Sequence, residues 1–567
     1  MLGNRLKIFL FMVISFLIAQ PAFSAVKPVP ARHGMVVSAD RLASEVGVAV
    51  LREGGNAVDA AVAVGFALAV TYPAAGNIGG GGFLIYRRAD GETAAYDFRE
   101  TAPANASRDM YLDADGKVAP ELSTVGALAV GTPGTVAGLH MAHRELGELP
   151  FARLVEPAIK LARDGFIVGP ALAEQLAGLR KFFDRFPSTS AMVTNGEGVP
   201  QAGDRWHQPD LARTLERIRD KGSRGFYEGV IADCIVETMQ KHSGLITHRD
   251  LAEYRPVRRK VISGTYKDVR ILSMPPPSSG GVLLLQILGM LERWNLTDMG
   301  FGSSQSIHVM TEVMRRAYAD RAKHLGDADY YDVPLTGLLD PVYLQQRCAG
   351  IQFDKASPSG DVAAGVAKPL PESEQTTHFS IVDAEGNAVA MTYTLNGSYG
   401  SKLVAEGAGF LLNNEMDDFS AKPGQPNMYG AIGSVANEIQ PGKRMLSSMT
   451  PTIIERDGKL YMVTGSPGGT RIITTVMQVI LNVVTHGMNV QQAVNAPRMH
   501  HQWLPDHIIY EPYGLSTDVR VGLQSMGHIL TDAPRYMGDA NSILVNPETG
   551  MRYGAPDGRT NSVAVGY

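Results

Sequence analysis

Pro371-Glu372-Ser373-Glu374-Gln375-Thr376-Thr377-His378-Phe379-Ser380-Ile381-Val382 begins as a polar, loop-like approach and turns abruptly into β-strand sequence. A turn at Asp383-Ala384-Glu385-Gly386-Asn387 leads into a second strand, Ala388-Val389-Ala390-Met391-Thr392-Tyr393-Thr394, so the stretch reads as a hairpin with Thr376 at its head. A threonine placed behind a loop in this way suits a chain that cuts itself there. If the Gln375–Thr376 bond breaks, Thr376 gains an α-amine titrating near ~7.7, which can act as base for its own hydroxyl. Taken alone, the hairpin better suits a threonine that merely starts a strand, a setting that β-branched residues favour.

Working outward, Ala39 to Val70 carries a helical pattern interrupted at Gly54-Gly55. Phe83-Leu84-Ile85-Tyr86-Arg87 is a strand that pairs with Ala94-Ala95-Tyr96-Asp97-Phe98-Arg99, and Gly134 to about His248 is mostly helical. Strand-like Lys260 to Tyr266 and Arg270 to Ser273 follow, then Pro275 to Gly281 opening a helix. Residues 352–375, rich in Ser, Pro, Gly, Ala and Glu, read as a linker with little to bury. Past the hairpin at 376, Asp457-Gly458 joins two alternating runs, Thr452 to Arg456 and Lys459 to Thr464, a strong hairpin signal. A helix over Thr470 to Val484 and further strands complete the chain. Sheets interleaved with helices on both sides of the linker imply a layered α/β architecture whose halves share one core.

The 567 residues exceed one ordinary core, and 44% apolar with 19% charged residues is a soluble globular composition. A net charge of −5 without a basic run gives nucleic-acid binding no electrostatic support. The start of the chain is a targeting signal (residues 1–24). Arg5 and Lys7 precede an apolar Ile8 to Ala19, and Ala22-Phe23-Ser24 supplies the small residues a signal peptidase reads. The apolar stretch is short for a membrane span, so cleavage after Ser24 and export, periplasmic or secreted, are expected without a stable membrane anchor. Cys234 and Cys348, the two cysteines, are taken as structural. His500-His501 would face opposite sides of a strand with no carboxylate or cysteine at ligand spacing nearby, so no metal is expected, and no cofactor.

Several blocks occur together and in order. They are Gly76-Asn77-Ile78-Gly79-Gly80-Gly81, Asp97-Phe98-Arg99-Glu100, Thr376-Thr377-His378-Phe379-Ser380 and Asn413-Asn414-Glu415-Met416-Asp417-Asp418-Phe419. Leu446-Ser447-Ser448-Met449, Gly465-Ser466-Pro467-Gly468-Gly469 and Asn495 to Trp503 follow. Across essentially the whole mature chain this pattern resembles the γ-glutamyltranspeptidase (glutathione hydrolase) family of N-terminal-nucleophile hydrolases. The resemblance implies a four-layer αββα sandwich, made as an inactive precursor that cleaves itself. The cut would fall between Gln375 and Thr376, leaving a large subunit, 25–375, and a small one, 376–567, interleaved as a heterodimer. It also implies hydrolysis of glutathione and other γ-glutamyl compounds, with transfer of the γ-glutamyl group to amino acids or peptides as second activity.

Residue by residue, the resemblance makes Thr376 the nucleophile, with Thr394 hydrogen-bonded to it from the neighbouring strand. Gly468 and Gly469, at a helix entry, would form the oxyanion hole. A γ-glutamyl head ends in an α-carboxylate and an α-ammonium, so its pocket needs both signs. Arg99 matches the carboxylate clamp, where a guanidinium can engage two oxygens, joined by Ser447 and Ser448. Asn396, Glu415 and Asp418 match the ammonium side, and Asp417 reads as structural. Pro423 to Gly430, with Tyr429, matches a lid loop over the pocket. Two rivals stay open: a related cephalosporin or glutaryl acylase using the same nucleophile, and an inactive homologue that only binds amino-acid-like ligands.

Overall fold

The computed structural model describes residues 26–363, 376–428 and 430–567. The expected targeting signal, the polar approach ending at Gln375, and Tyr429 lie outside the described residues.

Two seven-stranded antiparallel sheets form the centre. One runs, edge to edge, through Val29–Ala31, Arg552–Ala555, Ser542–Val545, Lys459–Thr464, Thr452–Arg456, Val269–Ser273 and Ile262–Tyr266. The other runs through Val563–Gly566, Met35–Ser38, Thr377–Val382, Ala388–Thr394, Gly81–Arg87, Thr93–Asp97 and Val257–Arg259. Each sheet draws strands from both sides of the linker, so neither half of the chain can complete a sheet alone. The hairpin anticipated at 376 lies in the middle of the second sheet, with Thr377 opposite Tyr393 and Val382 opposite Ala388.

Period-two alternation sorts the strands into layers. On the second sheet, Leu84, Tyr86 and Tyr96 join a core with helix Ala57–Thr71 and the helices after residue 134. Their neighbours Phe83, Ile85 and Ala95 join the opposite core, with Ile271, Ile453 and Met462 of the first sheet. That core continues to helices Gly280–Leu291, Ser304–His324 and Arg471–Val484 on the far side. The order is helices, sheet, sheet, helices: the four-layer sandwich the resemblance implies.

Local chemistry explains the corners. Asp457 and Gly458 both take positive φ, 52° and 73°, as a tight hairpin turn requires. Asp383, at the other hairpin, accepts the N–H groups of Glu385, Gly386 and Asn387, and its second oxygen accepts from Ala57 N. One buried carboxylate therefore closes the turn and satisfies the start of helix Ala57–Thr71. Among the described residues no helix is long and apolar enough to cross a membrane, and both cysteines are free thiols.

The described part of the expected linker departs from that expectation. Residues 352–363 are pinned rather than loose. Glu312 Oε1 accepts from Ser357 N, Asp506 accepts from Ser359 N, and Trp503 Nε1 donates to Ser359 O, while Ser359 and Val362 are buried. Composition suggested little to bury. The segment is held by backbone hydrogen bonds to charged side chains that lie far away in sequence.

Candidate active site

Thr376 lies at the rim of the second sheet, 5% exposed, with Oγ1 3.4 Å from Thr394 Oγ1. Thr394 Oγ1 also accepts the Asn396 N–H at 2.8 Å, and either hydroxyl of the Thr376–Thr394 pair can donate to the other. The tight turn after Thr394 puts Asn396 at φ 73°, a left-handed conformation that Asn tolerates better than most residues. These residues open into a small cavity that also takes in Arg99, Glu415, Asp418, Ser447, Ser448 and Gly469. Residues scattered from 99 to 469 thus converge on the hydroxyl of Thr376.

Gly468 and Gly469 enter helix Arg471–Val484 with φ 128° and 55°. Neither N–H has a hydrogen-bond partner among the described residues, and both sit at the positive end of a long helix. Just behind them, Thr470 is fixed by its hydroxyl to Gln502 Oε1 at 2.5 Å.

The charged side chains sit differently from the sequence-based expectation. Arg99 was assigned to the carboxylate end of a ligand, and Glu415 and Asp418 to the ammonium end. In the structure they bond one another: Arg99 Nη1 to Glu415 Oε2 at 2.5 Å and Nη2 to Asp418 Oδ2. Buried opposite charges in one cavity neutralise each other. Glu415 Oε1 is buried with no hydrogen-bond partner among the described residues, and burial, opposed by Arg99, pushes its carboxyl well above the usual range. Asp418 is raised for the same reason.

Asp417, read as structural, is so. Its two oxygens accept from Ser123 Oγ at 2.6 Å and Met428 N at 2.9 Å. The second bond ties down the loop anticipated as a lid, whose Asn427 donates to Asp418 Oδ1 and, with Ala431, lines the cavity.

Glu100 stands behind Arg99, Oε2 3.5 Å from Nη1, and neither of its oxygens has a hydrogen-bond partner among the described residues. Burial pushes this carboxyl up to about 8, with Arg99 pulling the other way. A raised carboxyl holds its proton more tightly when folded. Its contribution to stability is therefore full below the unfolded value near ~4.3 and is lost as the pH climbs to about 8. Glu100→Gln is expected to narrow the gap between urea midpoints at pH 5.5 and 8.5. An unchanged gap would show that Glu100 does not carry this proton.

Residues 43–567 match the family model described as gamma-glutamyltranspeptidase. The chain belongs to that family. It is similar to the glutathione hydrolase proenzyme of Escherichia coli (strain K12), 50% identical over 542 residues that cover 95% of this chain and 93% of that protein. Among solved structures it resembles γ-glutamyltranspeptidase of Helicobacter pylori, at 45% identity with TM-score 0.57, covering 60% of this chain and 97% of that one. It also resembles a cephalosporin acylase from Bacillus halodurans, at 26% identity with TM-score 0.84, covering 97% of this chain and 98% of that one.

For a γ-glutamyltranspeptidase-family chain, the sequence reading gathered most of the cavity. The structure brings Thr376, Thr394, Arg99, Asn396, Glu415, Asp418, Ser447, Ser448 and Gly469 together, with Gly468 adjoining. Tyr429 lies outside the described residues. Arg321, Asn427 and Thr470 also line the cavity and were not singled out. Asn427 falls inside the quoted lid segment and could have been found there. Arg321 sits in a charge-dense helix with no motif around it. A further cluster invisible to spacing, His308, Glu312 and His528, lies elsewhere in the fold. There the two rings bond each other at 2.7 Å and Glu312 is held by Arg316. His501, expected to lack a nearby carboxylate, lies 3.2 Å from Asp506 because a short loop folds back.

Proposed function

We propose that this chain cuts itself between Gln375 and Thr376, giving parts 25–375 and 376–567, and that Thr376 then carries a γ-glutamyl ester during turnover. The product is a glutathione hydrolase and γ-glutamyltransferase. The observation that carries the reading is one hydroxyl, that of Thr376, opening on a cavity lined by a guanidinium, carboxylates and paired serines. A zwitterionic head group needs that two-signed lining, and an ordinary acyl chain does not. This favours a γ-glutamyl donor over the acyl groups of related acylases.

The chemistry follows from the positions. The α-amine of Thr376 takes the proton of Oγ1, and the oxygen attacks the γ-carbonyl carbon of the donor. The oxyanion that forms meets the N–H groups of Gly468 and Gly469, each such donor being worth roughly 3 kcal/mol in a transition state. The C–N bond then breaks, the amine leaves with the proton, and an ester remains on Thr376. Water or an acceptor amine resolves it by the same route in reverse.

Binding is an exchange of ion pairs. The donor's ammonium takes Glu415 and Asp418, with Asn396 beside them, and its carboxylate takes Arg99, Ser447 and Ser448. The donor brings one cation and one anion to a cavity where Arg99 already faces two carboxylates, so each incoming charge meets an opposite one. Export after cleavage at Ser24, to the periplasm or the medium, completes the reading.

The test is direct. Purified protein should run as two chains under denaturing conditions, the smaller beginning with Thr376, and should release glutamate from glutathione. Full activity from a single intact chain would overturn the proposal.

A further inference from the structure

We propose that Arg321 is a positioning residue that makes the Ser447–Ser448 end of the cavity the carboxylate end, so that a donor can enter in one orientation only. The inference rests on the γ-glutamyl reading of the same cavity and deepens it.

Arg321 lies on helix Ser304–His324 and is 7% exposed, with its side chain facing the cavity. Its neighbours on that helix are neutralised: Arg316 by Glu312 at 2.7 Å, and Asp320 by Arg347 at 3.0 Å. Arg321 is not. Among the described residues no carboxylate comes within ion-pair distance of it, and its partners are hydroxyls. Nε donates to Ser279 Oγ at 3.0 Å and Nη2 to Ser448 Oγ at 3.2 Å. Removing a guanidinium from water without a counter-ion is strongly unfavourable, so a buried cation of this kind is expected to serve an anion that comes and goes.

Hydrogen-bond polarity shows how it would act. A guanidinium has donors and no acceptor, so the Ser448 hydroxyl must accept from Arg321. Its single hydrogen is thereby turned away from Arg321 and can be given to a ligand oxygen. Ser279, accepting from Nε, passes its own hydrogen to Ser447 O at 2.7 Å, and its N–H reaches the same oxygen at 2.7 Å. One side chain therefore fixes both cavity serines, the first through its hydroxyl and the second through its backbone. Charge adds to this. Arg99 is compensated by two carboxylates in the resting cavity, so Arg321 supplies the positive potential at the serine end.

The test compares L-glutamate with 4-aminobutanoate, which lacks only the α-carboxylate. Calorimetric binding to the purified processed protein gives a Kd for each, and hydrolysis of γ-glutamyl-p-nitroanilide gives kcat and KM. Arg321→Met is expected to weaken L-glutamate binding about 10-fold or more and to leave 4-aminobutanoate within about 2-fold. KM should rise more than kcat falls. Arg321→Lys, which can still donate to Ser448, should recover part of the loss. Equal weakening of both ligands, or no weakening of either, overturns the proposal. Should Arg321→Met not fold, Ser279→Ala severs one of the two links and is expected to weaken L-glutamate selectively by about 3-fold; no selective change there overturns it as well. Wild-type protein that binds L-glutamate but hydrolyses no γ-glutamyl donor would defeat the proposed function and leave the Arg321 comparison standing, whereas wild-type protein that binds no L-glutamate overturns this inference too.

Discussion

Thr376→Ala is expected to yield one uncut polypeptide and to lower γ-glutamyl-p-nitroanilide hydrolysis by about 10⁴-fold or more, the scale on which removal of a covalent nucleophile is felt. Both effects have one cause. The atom that attacks the Gln375 carbonyl during maturation is the atom that attacks the donor afterwards, so a methyl in its place removes both steps. The fold should survive. Thr376 makes a long hydrogen bond to Thr394 and stands at the head of a strand whose pairing begins at Thr377. Denaturing electrophoresis and kinetics on the same preparation check the prediction. Two chains from the alanine variant would place the cut elsewhere. One chain with retained activity would remove Thr376 from the chemistry altogether.

How far the sequence carried depended on the range of the interaction. Hairpins closed by short turns were legible, because Asp457-Gly458 and Asp383 to Asn387 act within a few residues. The order of fourteen strands was not. That Thr377–Val382 lies between Met35–Ser38 and Ala388–Thr394 depends on contacts hundreds of residues apart. Most of the cavity was readable through quoted motifs. The pairing of Arg99 with Glu415 and Asp418 was not readable, since a motif names ligand contacts and not the bonds its side chains make with one another. Arg321 was hidden for another reason. Arg315-Arg316 and Asp320-Arg321 would ordinarily mark a solvated helix face, yet residues 306–322 of that helix are buried, with Arg316 paired to Glu312 within the helix, Asp320 to Arg347 outside it, and Arg321 bonded to hydroxyls. Residues 352–363 misled in the opposite sense, polar in composition and yet fastened down by Glu312, Trp503 and Asp506.

Arg99→Lys is expected to raise KM for γ-glutamyl-p-nitroanilide by roughly 10- to 100-fold, corresponding to the loss of one charged hydrogen bond of about 1.5–3 kcal/mol. The guanidinium spans two acids at once, Glu415 through Nη1 and Asp418 through Nη2. A lysine ammonium is a compact point charge at the end of a flexible stem and cannot bridge them with the same fork. One acid is then left buried without its partner, so the folded state should lose about 3 kcal/mol as well, within the range for breaking a buried pair. Self-cleavage should continue, because the attack on Gln375 makes no use of a ligand's α-carboxylate. The variant should therefore appear as two chains with poor donor affinity, which separates a binding role from a maturation role. Unchanged KM in a properly cut variant would mean that the carboxylate clamp lies elsewhere, and the first place to look would be Arg321.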